Sequence, residues 1–188
     1  MIPSEQVLRS QVALLTLADD ERFEQWVRDY AGMVFRVAYS VLRNHHDAED
    51  VTQETFIRVL RRRMDLANIK EPRAWLGRIA FRMALNRSKS RRTQEQDPEK
   101  VLVQLAATGS VPEDVVHYSE VMALMETFIA ALPADLRDVL RLSTVDELNS
   151  REVAEILEIP ESSVRTRLHR ARQLLKQKIG ARLGTNHE

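Results

Sequence analysis

The chain has no cysteine among its 188 residues, which excludes a disulfide scaffold, thiolate metal sites and direct thiol redox sensing. Glycine and proline are scarce, at 5 and 6, so there is little of the turn chemistry that closely spaced strands require. What abounds instead is Ala, Leu, Glu and Arg, the composition of helix rather than sheet. No apolar run approaches the roughly 20 residues of a membrane span. Val12 to Ala18 is the nearest to a leader segment, but a single Arg9 precedes it and Asp19-Asp20-Glu21 follows at once. Leu8, Val12 and Leu15 instead recur at helical spacing, so a cytoplasmic location with no membrane insertion is expected. A Gly-rich phosphate loop, a nucleophile motif and an isolated acidic pair are also lacking, so no catalytic residue is assigned and no cofactor is expected. His45-His46-Asp47 lacks a thiolate or third histidine nearby and is not read as a metal site.

Net charge is absent too, with 28 basic against 28 acidic residues, which at first argues against a nucleic-acid partner. The distribution reverses that impression. Arg78, Arg82, Arg87, Lys89, Arg91 and Arg92 follow one another with no acid between them, as do Arg165, Arg167, Arg170, Arg172, Lys176 and Lys178. Charge separated in this way makes local basic faces on a neutral molecule.

Along the chain, residues 1–20 read as an amphipathic lead-in and residues 21–92 as a helical unit. Residues 93–118 carry Asp97-Pro98 and Thr108-Gly109-Ser110-Val111-Pro112 and read as a linker. Residues 119–183 form a second helical unit, and 184–188 a tail. The fold class expected is all-α, two small helical domains joined by a flexible linker.

In the second unit, Asn149-x-x-Glu152 has the form of a capping box opening a helix through Val153, Ala154, Ile156 and Leu157. Glu158-Ile159-Pro160 breaks it, and Pro160 or Glu161 opens the next helix. There Val164, Leu168, Ala171 and Leu175 share one face, while Ser162, Arg165, Thr166, His169 and Arg170 point the other way. A capped short helix, a tight turn and a helix with an arginine-rich outer face together make a helix-turn-helix. Arginine suits this task because its fork bonds bidentately to guanine or to phosphate. A solvated helix face is the bland reading of such arginines, and the agreement of cap, turn and apolar spacing favours DNA contact.

The string Ser163-Val164-Arg165-Thr166-Arg167-Leu168-His169-Arg170-Ala171-Arg172 resembles the recognition helix of extracytoplasmic-function sigma factors. Leu132-Pro133-Ala134-Asp135-Leu136-Arg137-Asp138-Val139 resembles the helix that opens the same domain. The resemblance implies contacts to the −35 promoter element by Arg165, Thr166, His169 and Arg170, with Arg167 and Arg172 on phosphates. Glu147 and Glu158 stand where that family usually or often has glycine, which predicts turns of different shape, or a cost of about 1 kcal/mol wherever φ is positive.

In the first unit, Asp47-Ala48-Glu49-Asp50-Val51-Thr52-Gln53-Glu54-Thr55-Phe56 reads as a capped helix, with Asp47 the expected cap and Ala48, Val51, Phe56 and Val59 its inward stripe. The string is similar to the sigma-factor segment that binds the clamp helices of the polymerase largest subunit. That resemblance assigns Asp47, Asp50, Gln53, Glu54 and Ile57 to the RNA polymerase core. Pro72 starts the next helix, with Trp75, Leu76, Ile79 and Met83 as its buried stripe and Phe81 also read as core. Pro72-Arg73-Ala74-Trp75-Leu76-Gly77-Arg78-Ile79-Ala80 resembles the family's segment that engages and opens the −10 element. The resemblance assigns Arg78, Arg82, Lys89, Arg91 and Arg92 to promoter DNA there, and Asn68 to capture of an extruded base in the loop from Met64 to Glu71. Gly77 departs from an aromatic and Arg82 from an asparagine common in the family. The resemblance further implies no self-inhibitory region, so an anti-sigma factor is the expected regulator. A stand-alone helix-turn-helix regulator and a helical adaptor are the alternatives.

Overall fold

A computed structural model describes the backbone of residues 5–61, 66–95 and 113–184, and side chains over 21–61, 68–91 and 123–182 together with 66 and 121. Every regular element among the described residues is helical. In order they are α1 (Glu5–Leu42), α2 (His45–Arg61), a 3₁₀ turn (Leu66–Asn68), α3 (Pro72–Glu95), α4 (Glu113–Ala130), α5 (Ala134–Leu142), α6 (Ser150–Leu157) and α7 (Glu161–Gly184). Two compact units are defined, residues 1–85 and 86–188, with the boundary inside α3.

Several of the expected boundaries fall inside helices. The lead-in is continuous with the first helix of the N-terminal unit, because α1 runs unbroken from Glu5 to Leu42. The expected linker is helical at both ends, α3 reaching Glu95 and α4 beginning at Glu113, while its middle, 96–112, lies outside the described residues. The tail beyond Gly184 lies outside them as well.

The N-terminal unit is held by apolar stripes at helical spacing. Met33, Val34, Val37, Ala38 and Val41 of α1 are buried, as are Ala48, Val51, Phe56 and Val59 of α2. Phe23 meets Phe56 edge to face at 6.2 Å, and Trp26 meets Trp75 of α3 at 6.3 Å, geometries that aromatic quadrupoles favour. Leu76, Ala80, Phe81, Met83 and Ala84 bring α3 into the same core. Buried Thr55 donates its hydroxyl to the Val51 carbonyl at 2.7 Å, so its polar atom costs the core little. The cap of α2 is Asn44 and not Asp47. The Asn44 side chain accepts the Asp47 amide at 3.0 Å, which leaves Asp47 in the first turn. Arg43 takes a left-handed conformation (φ 52°) and thereby ends α1 one residue before that cap.

In the C-terminal unit Ile129, Leu132, Leu136 and Leu140 pack against Ala171 and Leu175 of α7, with Phe128, Leu168 and Leu174 alongside. Val139, Leu142, Val145, Leu148, Val153, Ala154 and Ile156 complete the interior. Arg141 is buried and ion-paired with Glu126 of α4, and Arg137 donates to the Ala130 carbonyl at 3.2 Å. Burial lowers the Arg141 pKa against the opposing pull of Glu126, and burial pushes Asp138 up despite Arg137 and Arg141 beside it. These arginines tie α5 to α4, so they are structural cations of the unit's interior.

The capping box at Asn149 is complete. The Asn149 side chain accepts the Glu152 amide at 3.0 Å, and the Glu152 carboxylate accepts the Asn149 amide at 2.9 Å. Asn149→Ala is expected to lower the stability of this unit by about 1 kcal/mol. Chemical unfolding followed by circular dichroism measures it, and an unchanged midpoint would show the cap to be idle.

Candidate nucleic-acid interface

The two helices of the C-terminal motif are joined by a turn of three residues. Glu158 adopts a left-handed conformation (φ 57°, ψ 43°), and its amide bonds back to the Ala154 carbonyl. The Ile159 amide reaches the same carbonyl at 3.0 Å, which ends α6 sharply. Here a side chain occupies a backbone region that glycine favours, as the departure at Glu158 implied. Glu147 differs: positive φ among non-glycine residues is confined, within the described residues, to Arg43 and Glu158.

Burial of Val164, Ala171 and Leu175 fixes the rotation of α7, so its outer face follows by helical geometry. Arg165, Thr166, His169 and Arg170 all lie exposed on that outer side. Arg172 is exposed two turns beyond Arg165 on the same side. The Thr166 hydroxyl donates to the Ser162 carbonyl at 3.1 Å. Arg165 donates from Nη2 to Oε1 of Glu161, one turn earlier, at 2.7 Å. Arg167 is placed otherwise. It is only 33% exposed and lies 3.6 Å from Asp135 of α5, so it ties the recognition helix to its neighbour.

On α2, Asp50, Gln53, Glu54 and Ile57 form one exposed strip, and Asp47 sits half-buried at its start. The strip continues to Leu60, which is 53% exposed beside Ile57 at 44%. Sequence reading missed Leu60; the available signal was its i+3 relation to Ile57 and i+7 relation to Gln53. Glu54 lies 3.8 Å from Arg58. An acidic and amide-bearing strip with two exposed aliphatic side chains suits a protein partner better than water alone.

On α3, Arg82 and Lys89 are exposed and Arg78 is half-buried, all on one side of the helix. Arg91 is half-buried, and the Arg92 side chain lies outside the described residues. Asn68 is exposed at the end of the 3₁₀ turn. Met64 and Asp65, at the start of the expected loop, lie outside the described residues. Between α2 and α3 a cleft of about 180 Å³ is lined by Arg58, Val59, Trp75, Ile79 and Arg82. Trp75 is thus neither wholly core nor wholly free, one edge against Trp26 and another toward this cleft. Arg58 is a second cation that sequence reading did not single out. No helix among the described residues is long and apolar enough to cross a membrane.

Together these features define a DNA-binding protein of transcription, helical throughout the described residues, with a helix-turn-helix in one unit and an exposed acidic, amide-bearing and aliphatic helix face in the other. The chain matches the family described as Sigma-70 region 2 over residues 26–94, and Sigma-70, region 4 over residues 122–175. It is 30% identical over 183 residues to the ECF RNA polymerase sigma factor SigW of Bacillus subtilis (strain 168), covering 93% of this chain and 98% of that protein. It is also 30% identical over 141 residues to the ECF RNA polymerase sigma-E factor of Escherichia coli (strain K12), covering 71% and 74% of the two chains. The chain belongs to the ECF sigma factor family, and its function is that of a sigma factor in the initiation of transcription. Solved structures share its fold, two of them by alignment over most of the chain. CnrH in complex with the cytosolic domain of CnrY aligns with a TM-score of 0.60 and 21% identity over 90% of this chain and 94% of that one. RpoE in complex with the anti-sigma factor NepR from Bartonella quintana aligns with a TM-score of 0.55 and 20% identity, over 84% and 96%.

Proposed function

We propose that this sigma factor divides its work among three faces: α7 for the −35 element, the exposed strip of α2 for the polymerase core, and the basic side of α3 with Asn68 for the −10 element. The observation that carries the reading is the outer face of α7. Arg165, Thr166, His169 and Arg170 project from a helix whose opposite side is packed, so they can enter a major groove with no change in the core. The strip from Asp50 to Leu60 fits the clamp helices of the largest subunit, with aliphatic contact at Ile57 and Leu60 and polar contact at Gln53 and Glu54. Arg78, Arg82 and Lys89 supply the phosphate charge that opening a duplex demands, with Arg91 and Arg92 continuing it. The cleft between Arg58 and Arg82, floored by Trp75, offers a stacking surface for an unpaired base.

The domains we assign are residues 21–92 and 119–183, working in the cytoplasm without a cofactor, metal or catalytic residue. An anti-sigma factor is the proposed regulator, in keeping with the NepR complex of the structural relative. Co-purification with RNA polymerase core, followed by transcription from a defined promoter, tests the whole reading. The expected result is promoter-specific transcription that depends on this chain. A repressor binds operator DNA alone as a dimer, and an adaptor supports no transcription; either result overturns it.

A further inference from the structure

We propose that Glu161 is a positioning residue that holds Arg165 for base selection; this rests on the reading of α7 above. The observation is the 2.7 Å bond from Arg165 Nη2 to Glu161 Oε1. The two side chains are 73% and 43% exposed. A solvent-exposed ion pair of this kind adds little to folding stability, so its replacement leaves the fold intact. Its order, acid four residues before base, is the favoured one on a helix. The carboxylate also lies in the first turn of α7, where the helix dipole favours negative charge.

The guanidinium can be held and still read a base. Nη2 carries two hydrogens, one on the edge shared with Nε and one on the edge shared with Nη1. A single bond to Glu161 uses one of them and leaves the other edge with both its donors. That free edge is the one a guanine O6 and N7 pair requires. A long side chain normally loses much rotamer freedom on binding, and here part of that loss has occurred before DNA arrives. The carboxylate also repels phosphate, which disfavours the sequence-independent contacts an untethered arginine makes along the backbone. Among the described residues no ion pair or hydrogen bond holds Arg170 in this way. Of Arg165 and Arg170, Arg165 is the one held by a carboxylate, and base selectivity concentrates there.

Selection from a −35 promoter library with reconstituted holoenzyme tests the role, comparing wild type with Glu161→Ala, Glu161→Gln, Arg165→Ala and the Glu161→Ala/Arg165→Ala double variant. Glu161→Ala is expected to relax preference by about two- to tenfold at the single position that Arg165→Ala relaxes, the range for freeing one rotamer-rich side chain. Glu161→Gln keeps an acceptor of the same reach and falls between. The double variant is no worse than Arg165→Ala, and binding of Glu161→Ala to unrelated DNA is tighter than wild type. Loss at a different position means that Glu161 reads a base itself, and a uniform loss at every position means damage to the helix start. Either of these, or an unchanged preference, overturns the positioning role. If Arg165→Ala leaves every preference intact, the positioning role falls; only if Arg170→Ala leaves it intact as well does the reading of α7 fail with it.

Discussion

Replacing Arg165 or Arg170 by alanine is expected to relax the −35 preference, with a cost of about 1–3 kcal/mol at one promoter position for whichever arginine reads a base. Both side chains stand on the exposed side of α7, away from buried Val164 and Ala171, so the fold is left intact. A residue that touches phosphate alone behaves differently: binding weakens on all sequences alike, and the salt slope falls by about one. Arg172, exposed but outside the central cluster, is expected to follow that second pattern. Arg167 is expected to follow neither fully. Its guanidinium lies 3.6 Å from Asp135, so its replacement loosens α7 against α5 and registers in thermal stability as well as in DNA binding. Promoter-library selection with reconstituted holoenzyme, run at two salt concentrations, separates these cases. A −35 preference unchanged in both Arg165→Ala and Arg170→Ala shows that another element is the reader.

Charge reversal at Glu54 together with Gln53→Ala is expected to weaken binding to the polymerase core by about tenfold or more, since a charged group at a covered interface costs far more to misplace than one at a rim. Neither side chain faces the interior, where Val51, Thr55, Phe56 and Val59 are buried, so helix content and unfolding temperature should stay near those of the unaltered protein. Leu60→Ala supplies an independent arm. Its side chain is 53% exposed, and covering an aliphatic group of this size is worth about 1.5–3 kcal/mol when complete. Competition between each folded variant and the unaltered protein for a limited amount of core gives the affinity ratio. Equal competition by the double variant removes the α2 strip from the interface and leaves Ile57 and Leu60 without a partner.

Much of this was legible in the sequence because helices report their buried side through spacing. Val164, Leu168, Ala171 and Leu175 recur at the intervals of one helix face, and the outward position of Arg165 and His169 follows by subtraction. The capping box at Asn149 was equally local, both of its bonds closing within three residues. Ends of helices were less legible. Asn44 and Asp47 are both good caps by type, and the choice between them depended on Arg43 entering the left-handed region, which nothing in its chemistry favours.

Contacts between distant residues lay beyond sequence reasoning altogether. Arg141 and Glu126 stand in a stretch where charge reads as surface, yet Arg141 is buried and paired with the half-buried Glu126 across α5 and α4. Asp135 and Arg167 belong to different helices, and their approach to 3.6 Å could not be read from the spacing of either one. Leu60 has the type of a core residue; the packing of α1 and α3 against the other side of α2 decided that it faces outward. Residue type and spacing thus determined the helices, the inner face of each and the chemistry of its outer face. Which exposed cation is held and which stands free was decided only in the folded chain, because an ion pair depends on distances of a few ångströms between side chains that the sequence does not order.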